Sequence, residues 1–198
     1  MRHRYRAHPE EDSAMGMVRS SSPSMHDAPR DRTSASRLPP LPLDLRAADD
    51  DDRQYAHDLT YNNMRRYYVQ YGIEWSTKVY FQQWPCTANF ILLDSTVTPA
   101  KTAGLLRLQI VKPWTYLWDL QIEPAYQRRG VGKEALQRSM WLARHTGCSL
   151  FRLRVFKSNP ALQLYLRYGL EIVRDEDSVY MMEKLLPAVV AEHADKNV

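Results

Sequence analysis

The sequence predicts an α/β (α+β) layer fold, with helices flanking a mixed, mostly antiparallel sheet. Three observations carry this expectation. Strand-like and helix-like stretches follow one another as β-α-α-β-β-β-α-β-α-β-β, an order that layers helices on a sheet. Two apolar runs flank Ser95–Ala100 at hairpin spacing. A glycine-containing loop, Gln127–Lys133, joins a strand to an amphipathic helix.

The elements can be justified in order. The folded part starts near Leu41, where Pro42-Leu-Asp-Leu-Arg46 alternates as an edge strand. Asp49–Asp52 supply N-cap candidates and favourable negative charge for a helix from about Arg53 to Tyr71, which Gly72 ends. A second helix runs from Ser76 to Trp84 and stops before Pro85. Asn89–Asp94 and Ala103–Val111 form the hairpin, and Lys112-Pro113 turns into a strand over Tyr116–Ile122. Val131–Thr146 reads as a helix whose inner face is Val131, Ala135, Ser139, Met140 and Ala143, closed by Gly147. Leu150–Phe156 alternates, with Phe151, Leu153 and Val155 on one face and Arg152 and Arg154 on the other. Asn159–Tyr168 is a short helix with Pro160 in its first turn, where the missing N–H is tolerated. Two last strands, Leu170–Arg174 and Val179–Leu185, flank an acidic turn.

Of the 198 residues, 44% are hydrophobic and 25% charged, as in ordinary globular domains. No apolar run approaches the ~20 residues that cross a bilayer. The basic N-terminus is followed by no apolar core of a secretory signal, so a cytoplasmic setting is expected. Cys86 and Cys148 are too few and too far apart for a disulfide framework, and the six histidines show no metal-ligand spacing, so no metal is expected. Residues 1–42 hold six of the twelve prolines and one aromatic, Tyr5. Too little apolar surface is present there to offset the entropy of ordering. The organisation expected is a disordered tail over 1–40, a domain over 41–187 and a C-terminal tail over 188–198.

The net charge of +4 lies wholly in residues 51–198, and Tyr126–Pro160 carries eight bases against one acid, Glu134. That block suits a multiply charged anion. The loop within it explains how. Gly130 and Gly132 remove Cβ atoms that would keep a ligand from the backbone amides. Those amides sit at a helix N-terminus, a cradle for phosphate that Arg128, Arg129 and Lys133 reinforce. A Walker loop is excluded, because Gln127 and Glu134 break its pattern on both sides. Gly130, Gly132 and Ala135 match a Rossmann G-x-G-x-x-A pattern, but seven residues separate Ile122 from Gly130, too many for that fold.

Gln127-x-x-Gly130-x-Gly132 resembles the pyrophosphate loop of the GNAT acyltransferase superfamily, Arg/Gln-x-x-Gly-x-Gly/Ala. Asn159-Pro-Ala-Leu-Gln-Leu-Tyr165-Leu-Arg-Tyr-Gly169-Leu is similar to that superfamily's Asn-x-Ala…Leu-Tyr…Gly-Phe segment, with Leu170 in place of the usual Phe. The resemblance follows element order over Leu41–Leu185 and is specific over Tyr116–Leu170. It implies acetyl-CoA (acyl-CoA) as cofactor, with the pantetheine arm between splayed strands Tyr116–Ile122 and Leu150–Phe156. A bulge in the first strand would present backbone groups around Leu120 and Ile122 to that arm, and Val131 would complete the cradle.

The same resemblance gives Asn159 a hydrogen bond to the pantetheine arm, beside its simpler role as a helix cap. It gives Tyr165 the protonation of the departing thiolate, although Ala161, Leu164, Tyr165 and Tyr168 also share a helical face suited to the core. The general base stays open. Strand alternation points Tyr116 and Trp118 toward the acceptor and Asp119 away, unless a bulge re-aims it. Glu74 is a second candidate, and a water chain a third. Tyr55, Tyr61, Tyr67, Tyr68, Tyr71 and Trp75 crowd the first helix and its exit, where relatives bind the acceptor, and such rings suit a cationic amine or simple helix packing.

The activity implied is transfer of an acetyl group from acyl-CoA to a primary amine by direct attack in a ternary complex. The alternative is an acyl-CoA-binding sensor without turnover. The partner expected is a small-molecule or peptide amine, with no nucleic acid and no membrane. Oligomeric state stays open, a homodimer included.

Overall fold

A computed structural model describes residues 43–188; the N-terminal tail expected over 1–40 lies outside them, as does the C-terminal tail beyond Ala188. The chain runs β1 (Leu43–Ala47), α1 (Asp52–Gln70), α2 (Thr77–Gln83), β2 (Ala88–Asp94), β3 (Lys101–Val111), β4 (Trp114–Ile122), α3 (Val131–His145), β5 (Leu150–Phe156), α4 (Ala161–Arg167), β6 (Glu171–Asp175) and β7 (Val179–Leu185). Short 3₁₀ turns at Trp84–Cys86 and Pro124–Tyr126 complete the order. The strands form one sheet ordered β1-β2-β3-β4-β5-β7-β6. Neighbours are antiparallel except β4 and β5, which run parallel.

Helix α1 starts where its acidic run can satisfy unpaired amides. Asp49 Oδ1 accepts from the amides of Asp51 and Asp52 at 3.0 and 3.3 Å, and Asp52 Oδ2 accepts from the amide of Asp49 at 3.0 Å. The helix ends into Gly72, whose φ of +64° favours glycine. Ser76 caps α2 by accepting from the Val79 amide at 3.3 Å. As expected, α2 stops at Gln83, ahead of Pro85. The proline lies early in a 3₁₀ turn, where its missing N–H leaves no bond unmade.

The sheet has a core on each face. On one, α3 and α4 cover Leu106, Leu108, Leu117, Phe151, Leu153, Val155 and Met182. The inner face of α3 is Ala135, Leu136, Ser139, Met140 and Ala143. Leu136 therefore joins the expected set, while Val131 is only half-buried at the helix start. On the other face, α1 and α2 pack Ala56, Leu59, Tyr80 and Trp84 over Ile91 and Leu105. Gly104 lets β3 approach β4 closely, since a Cβ there would lie 2.2 Å from Gln121 O.

Candidate active site

Strands β4 and β5 part company halfway along. Their pairing ends at Leu117↔Leu153, yet β4 continues to Ile122 and β5 to Phe156. Beyond that point the β5-facing edge of β4 has no strand partner, so a gap opens in the middle of the sheet. Each wall is held from α1's side. Phe156 stacks between Tyr67 (centroids 5.3 Å) and Tyr71 (5.4 Å), with Tyr68 edge-on. On the β4 wall, Asn63 Nδ2 donates to Gln121 Oε1 at 3.2 Å and to Ile122 O at 3.1 Å.

A bulge lies where the gap begins. In the β3–β4 ladder Arg107 faces Asp119 and Leu108 faces Leu117, so Trp118 is the extra, unpaired residue. The bulge reverses the alternation. Leu117 packs in the core under α3, while Asp119, two residues on, sits with Arg107 on the α1/α2 face. Asp119 thus lies on the α1/α2 face and not on the far face that plain alternation gives it, as a bulge allows. Its carboxylate is occupied there: Oδ2 accepts from Arg107 Nη1 at 2.9 Å and Oδ1 from Gln121 Nε2 at 3.3 Å. Arg107, 1% exposed, is held in turn by Thr87 and Asn89 and lies over the rings of Tyr80 and Trp84. Burial, then the Asp119 charge, pushes the Tyr80 phenol up to about 12.

The loop after β4 leads its backbone amides into the start of α3. Gln127 Nε2 donates to Ile122 O at 3.0 Å, which ties the loop to the strand end. Arg128 adopts φ +60° and Gly130 φ +89°, a pair of left-handed turns that swings the chain into α3. The amides of Val131, Gly132 and Lys133 open that helix and have no intrahelical acceptor. No described residue caps them, so they suit the oxygens of a phosphate. A Cβ on Gly130 would meet no protein atom within 4 Å, which leaves the space above the loop to a ligand. Arg128, Arg129 and Lys133 are exposed around it, with Arg129 over Tyr126 at 5.1 Å.

Tyr165 projects from α4 into the core beneath α3, 8% exposed. Of the four residues expected on its helical face, it alone is buried; Ala161, Leu164 and Tyr168 are half-buried. Its hydroxyl makes no hydrogen bond to a described residue. Burial first, and the Asp119 charge second, push its phenol well above the ordinary tyrosine value. It therefore stays protonated at neutral pH, a donor without a protein acceptor. Asn159 Oδ1 accepts from the Ala161 amide at 2.9 Å, the capping role expected for it.

The acceptor-side aromatics divide. Tyr67 is buried and stacked, so it supplies packing rather than a contact surface, a correction to its expected role. Tyr71, Trp75, Tyr116 and Trp118 are half-exposed. Trp75 donates to His57 Nε2 at 3.2 Å within a cluster that includes Tyr61, Tyr68 and Tyr80. Trp118 donates to Gln109 Oε1 at 3.1 Å and meets Tyr116 edge-on. Glu74 is exposed in the α1–α2 connection and is not joined to Asp119 or Tyr165. Sequence reading passed over Asn63, Arg107, Gln121 and Glu123, the last accepting from the Tyr55 hydroxyl at 2.8 Å. An arginine within the apolar run Ala103–Leu108 was the available signal for Arg107; nothing local marked the others. Among the described residues no cluster could hold a metal ion, and no helix is long and apolar enough to cross a membrane.

Comparison with known proteins agrees with this geometry. The family model described as the acetyltransferase (GNAT) family matches residues 56–170, more than half of the chain. The fold is similar to that of the ribosomal-protein-S18-alanine N-acetyltransferase from Escherichia coli (21% identity, TM-score 0.57, 76% of this chain and 97% of that one). It is also similar to spermidine N-acetyltransferase from Vibrio cholerae, solved with CoA and spermine (20%, 0.58, 72% and 95%). A third similar structure is the PaiA N-acetyltransferase from Thermoplasma acidophilum in complex with coenzyme A (15%, 0.57, 73% and 99%). No curated protein sequence matches the chain.

Proposed function

Because the chain belongs to the GNAT acetyltransferase family and is an acyl-CoA-dependent N-acetyltransferase, we propose that it acetylates a primary amine by direct attack in a ternary complex. The observation that carries this reading is the parting of β4 and β5 beside a loop whose amides lack acceptors. Acetyl-CoA supplies the thioester carbonyl and the thiolate leaving group. The amides of Val131, Gly132 and Lys133, with Arg128, Arg129 and Gln127, are assigned to the pyrophosphate. The unpaired edge of β4 around Leu120 and Ile122, together with Asn159, is assigned to the pantetheine arm. Tyr165 donates its proton to the sulfur. Burial disfavours its phenolate, so its proton is held until the C–S bond breaks and the sulfur takes it.

The acceptor enters from the α1/α2 face, past Tyr71, Trp75, Tyr116 and Trp118, whose rings suit a cationic amine, small-molecule or peptide. Asp119 is not assigned as base, because both its oxygens already accept hydrogen bonds. Glu74, exposed in the α1–α2 connection, is not assigned as base either. The amine's proton is assigned to solvent. Two free thiols, Cys86 and Cys148, suit a reducing cytoplasm.

The test is a panel of amines with acetyl-CoA and detection of released thiol, followed by a pH profile on the best acceptor. The rate at subsaturating amine should rise about tenfold per pH unit toward the acceptor's own pKa, ~10.4 for a lysine-like amine. A plateau above an inflection between about pH 4 and 7, the carboxylate-to-histidine range, would instead restore a protein base. Absence of turnover with every amine class would reject the proposal.

A further inference from the structure

One carbonyl joins the acceptor side of the gap to the cofactor loop. Ile122 O, at the end of β4, accepts from Gln127 Nε2 of the loop at 3.0 Å and from Asn63 Nδ2 of α1 at 3.1 Å. The same Nδ2 also donates to Gln121 Oε1 at 3.2 Å, and Gln121 Nε2 reaches Asp119 Oδ1 at 3.3 Å. From Asp119 the chain of bonds continues through Arg107 to Asn89. Gln121 is buried, so its amide has little access to water as a substitute partner. On α1, Thr60, Asn63 and Tyr67 fall on one helical face. Tyr67 packs on Phe156 of the β5 wall, while Asn63 bonds the β4 wall. One face of one helix therefore touches both sides of the gap.

We propose that Asn63 is a positioning residue for the cofactor: by holding the Ile122 carbonyl that also anchors Gln127, it sets the orientation of the loop toward α3. The physical case is one of shared geometry. A peptide plane pinned from two directions cannot rotate, and the strand end, the loop and α1 move as a unit. With Asn63 absent, Gln127 must hold an unpinned carbonyl, and the cradle amides lose their alignment with the β4 edge. The proposal rests on reading this gap and loop as the acyl-CoA site, and its test separates the two.

The experiment is calorimetric titration of CoA into full-length protein, with a thermal melt and steady-state kinetics of each variant. Asn63→Leu removes both donated bonds at similar volume, and should raise the Kd for CoA by about fivefold to twentyfold, while kcat at saturating acetyl-CoA stays within about threefold. Gln127→Leu should weaken binding as well. The double variant should weaken it by less than the product of the two, because both act through one carbonyl, whereas independent sites multiply. Thr60→Val is the control for a purely structural effect. It removes a buried hydroxyl that donates to Ala56 O on the same face, and it should shift the melt while leaving Kd within about twofold. If Asn63→Leu does not fold, Asn63→Ser replaces it with the same expectations. A folded Asn63 variant with Kd within about twofold of wild type, or a double variant whose losses multiply, overturns the proposal. Failure of the wild type to bind CoA overturns the site assignment itself, and this inference with it.

Discussion

The two sides of the gap are built by different means. The cofactor side is a short continuous piece of chain: strand end, loop, two left-handed residues and the first turn of α3, within Ile122–Lys133. Its chemistry comes from backbone amides that the loop leaves unpaired. The side we propose for the acceptor is assembled from α1, β2, β3 and β4, and its chemistry comes from side chains that satisfy one another. Arg107, Asp119, Gln121 and Asn63 form one hydrogen-bonded chain, and aromatic rings fill the space around it. The first side waits for a ligand's charge. The second holds its charges paired, with Asp119 against Arg107.

The largest test of this contrast lies between the two sides, at Tyr165. Tyr165→Phe should slow acetyl transfer by roughly 10²–10⁴-fold while leaving CoA affinity and the melt close to wild type, since the ring's packing volume is kept. Steady-state thiol release reads the outcome, with Tyr168→Phe as a silent control. A rate within about twofold of wild type would assign Tyr165 to the core alone and leave the sulfur's proton to water.

Next in size is the acceptor-side ion pair. Arg107→Met leaves a half-buried carboxylate without its partner, and should cost about 3–5 kcal/mol in denaturant unfolding. Adding Asp119→Asn to that variant should recover part of the loss, because the unpaired charge is then gone. If Arg107→Met is as stable as wild type, the pair is no brace, and Asp119 returns as a candidate base.

On the cofactor side, Gly130→Val should weaken CoA binding at least about thirtyfold. A β-branched residue at φ +89° is strained by about 1–2 kcal/mol, and its side chain enters space reserved for the ligand. Gly132→Ala should be far milder, since its Cβ would meet Ile122 Cγ1 at 3.7 Å and Leu164 Cδ2 at 3.9 Å, ordinary contacts. Calorimetry on both variants decides it; equal affinities would remove backbone shape from the account of the loop. Smallest of all is the effect expected from deleting Met1–Pro40. We place that segment outside the acyltransferase domain, so melting temperature and CoA affinity should be unchanged. A drop of many degrees would show that it packs on the domain.

Most element boundaries were legible in the residues because their causes are local. Alternation marked β5, whose expected range matches the observed one, as does the range of β7 beyond the acidic turn, and Gly147 at φ +85° closed α3 where its pattern ended. The loop was legible for the same reason. A glycine at positive φ, Gly130, and a basic helix start are written side by side, and the GNAT-like motif adds spacing to chemistry. Pro85 marked the end of α2 for a local reason too, since a proline forbids an α-helical bond but not the 3₁₀ turn that follows.

By itself, then, the sequence determined the order of elements, the glycine-containing loop at Gln127–Lys133 that opens a helix and the presence of a tyrosine after Asn159 on a short helix. The tertiary structure alone decided which side chains meet. The bulge at Trp118 exists only in the register of β4 against β3, and it turned Asp119 to the face where Arg107 holds it. Asn63 reached Ile122, and Tyr67 reached Phe156, only once α1 lay across the parted strands. Such contacts join residues more than fifty positions apart, and no local propensity encodes a pairing that forms only when two distant surfaces exclude water together.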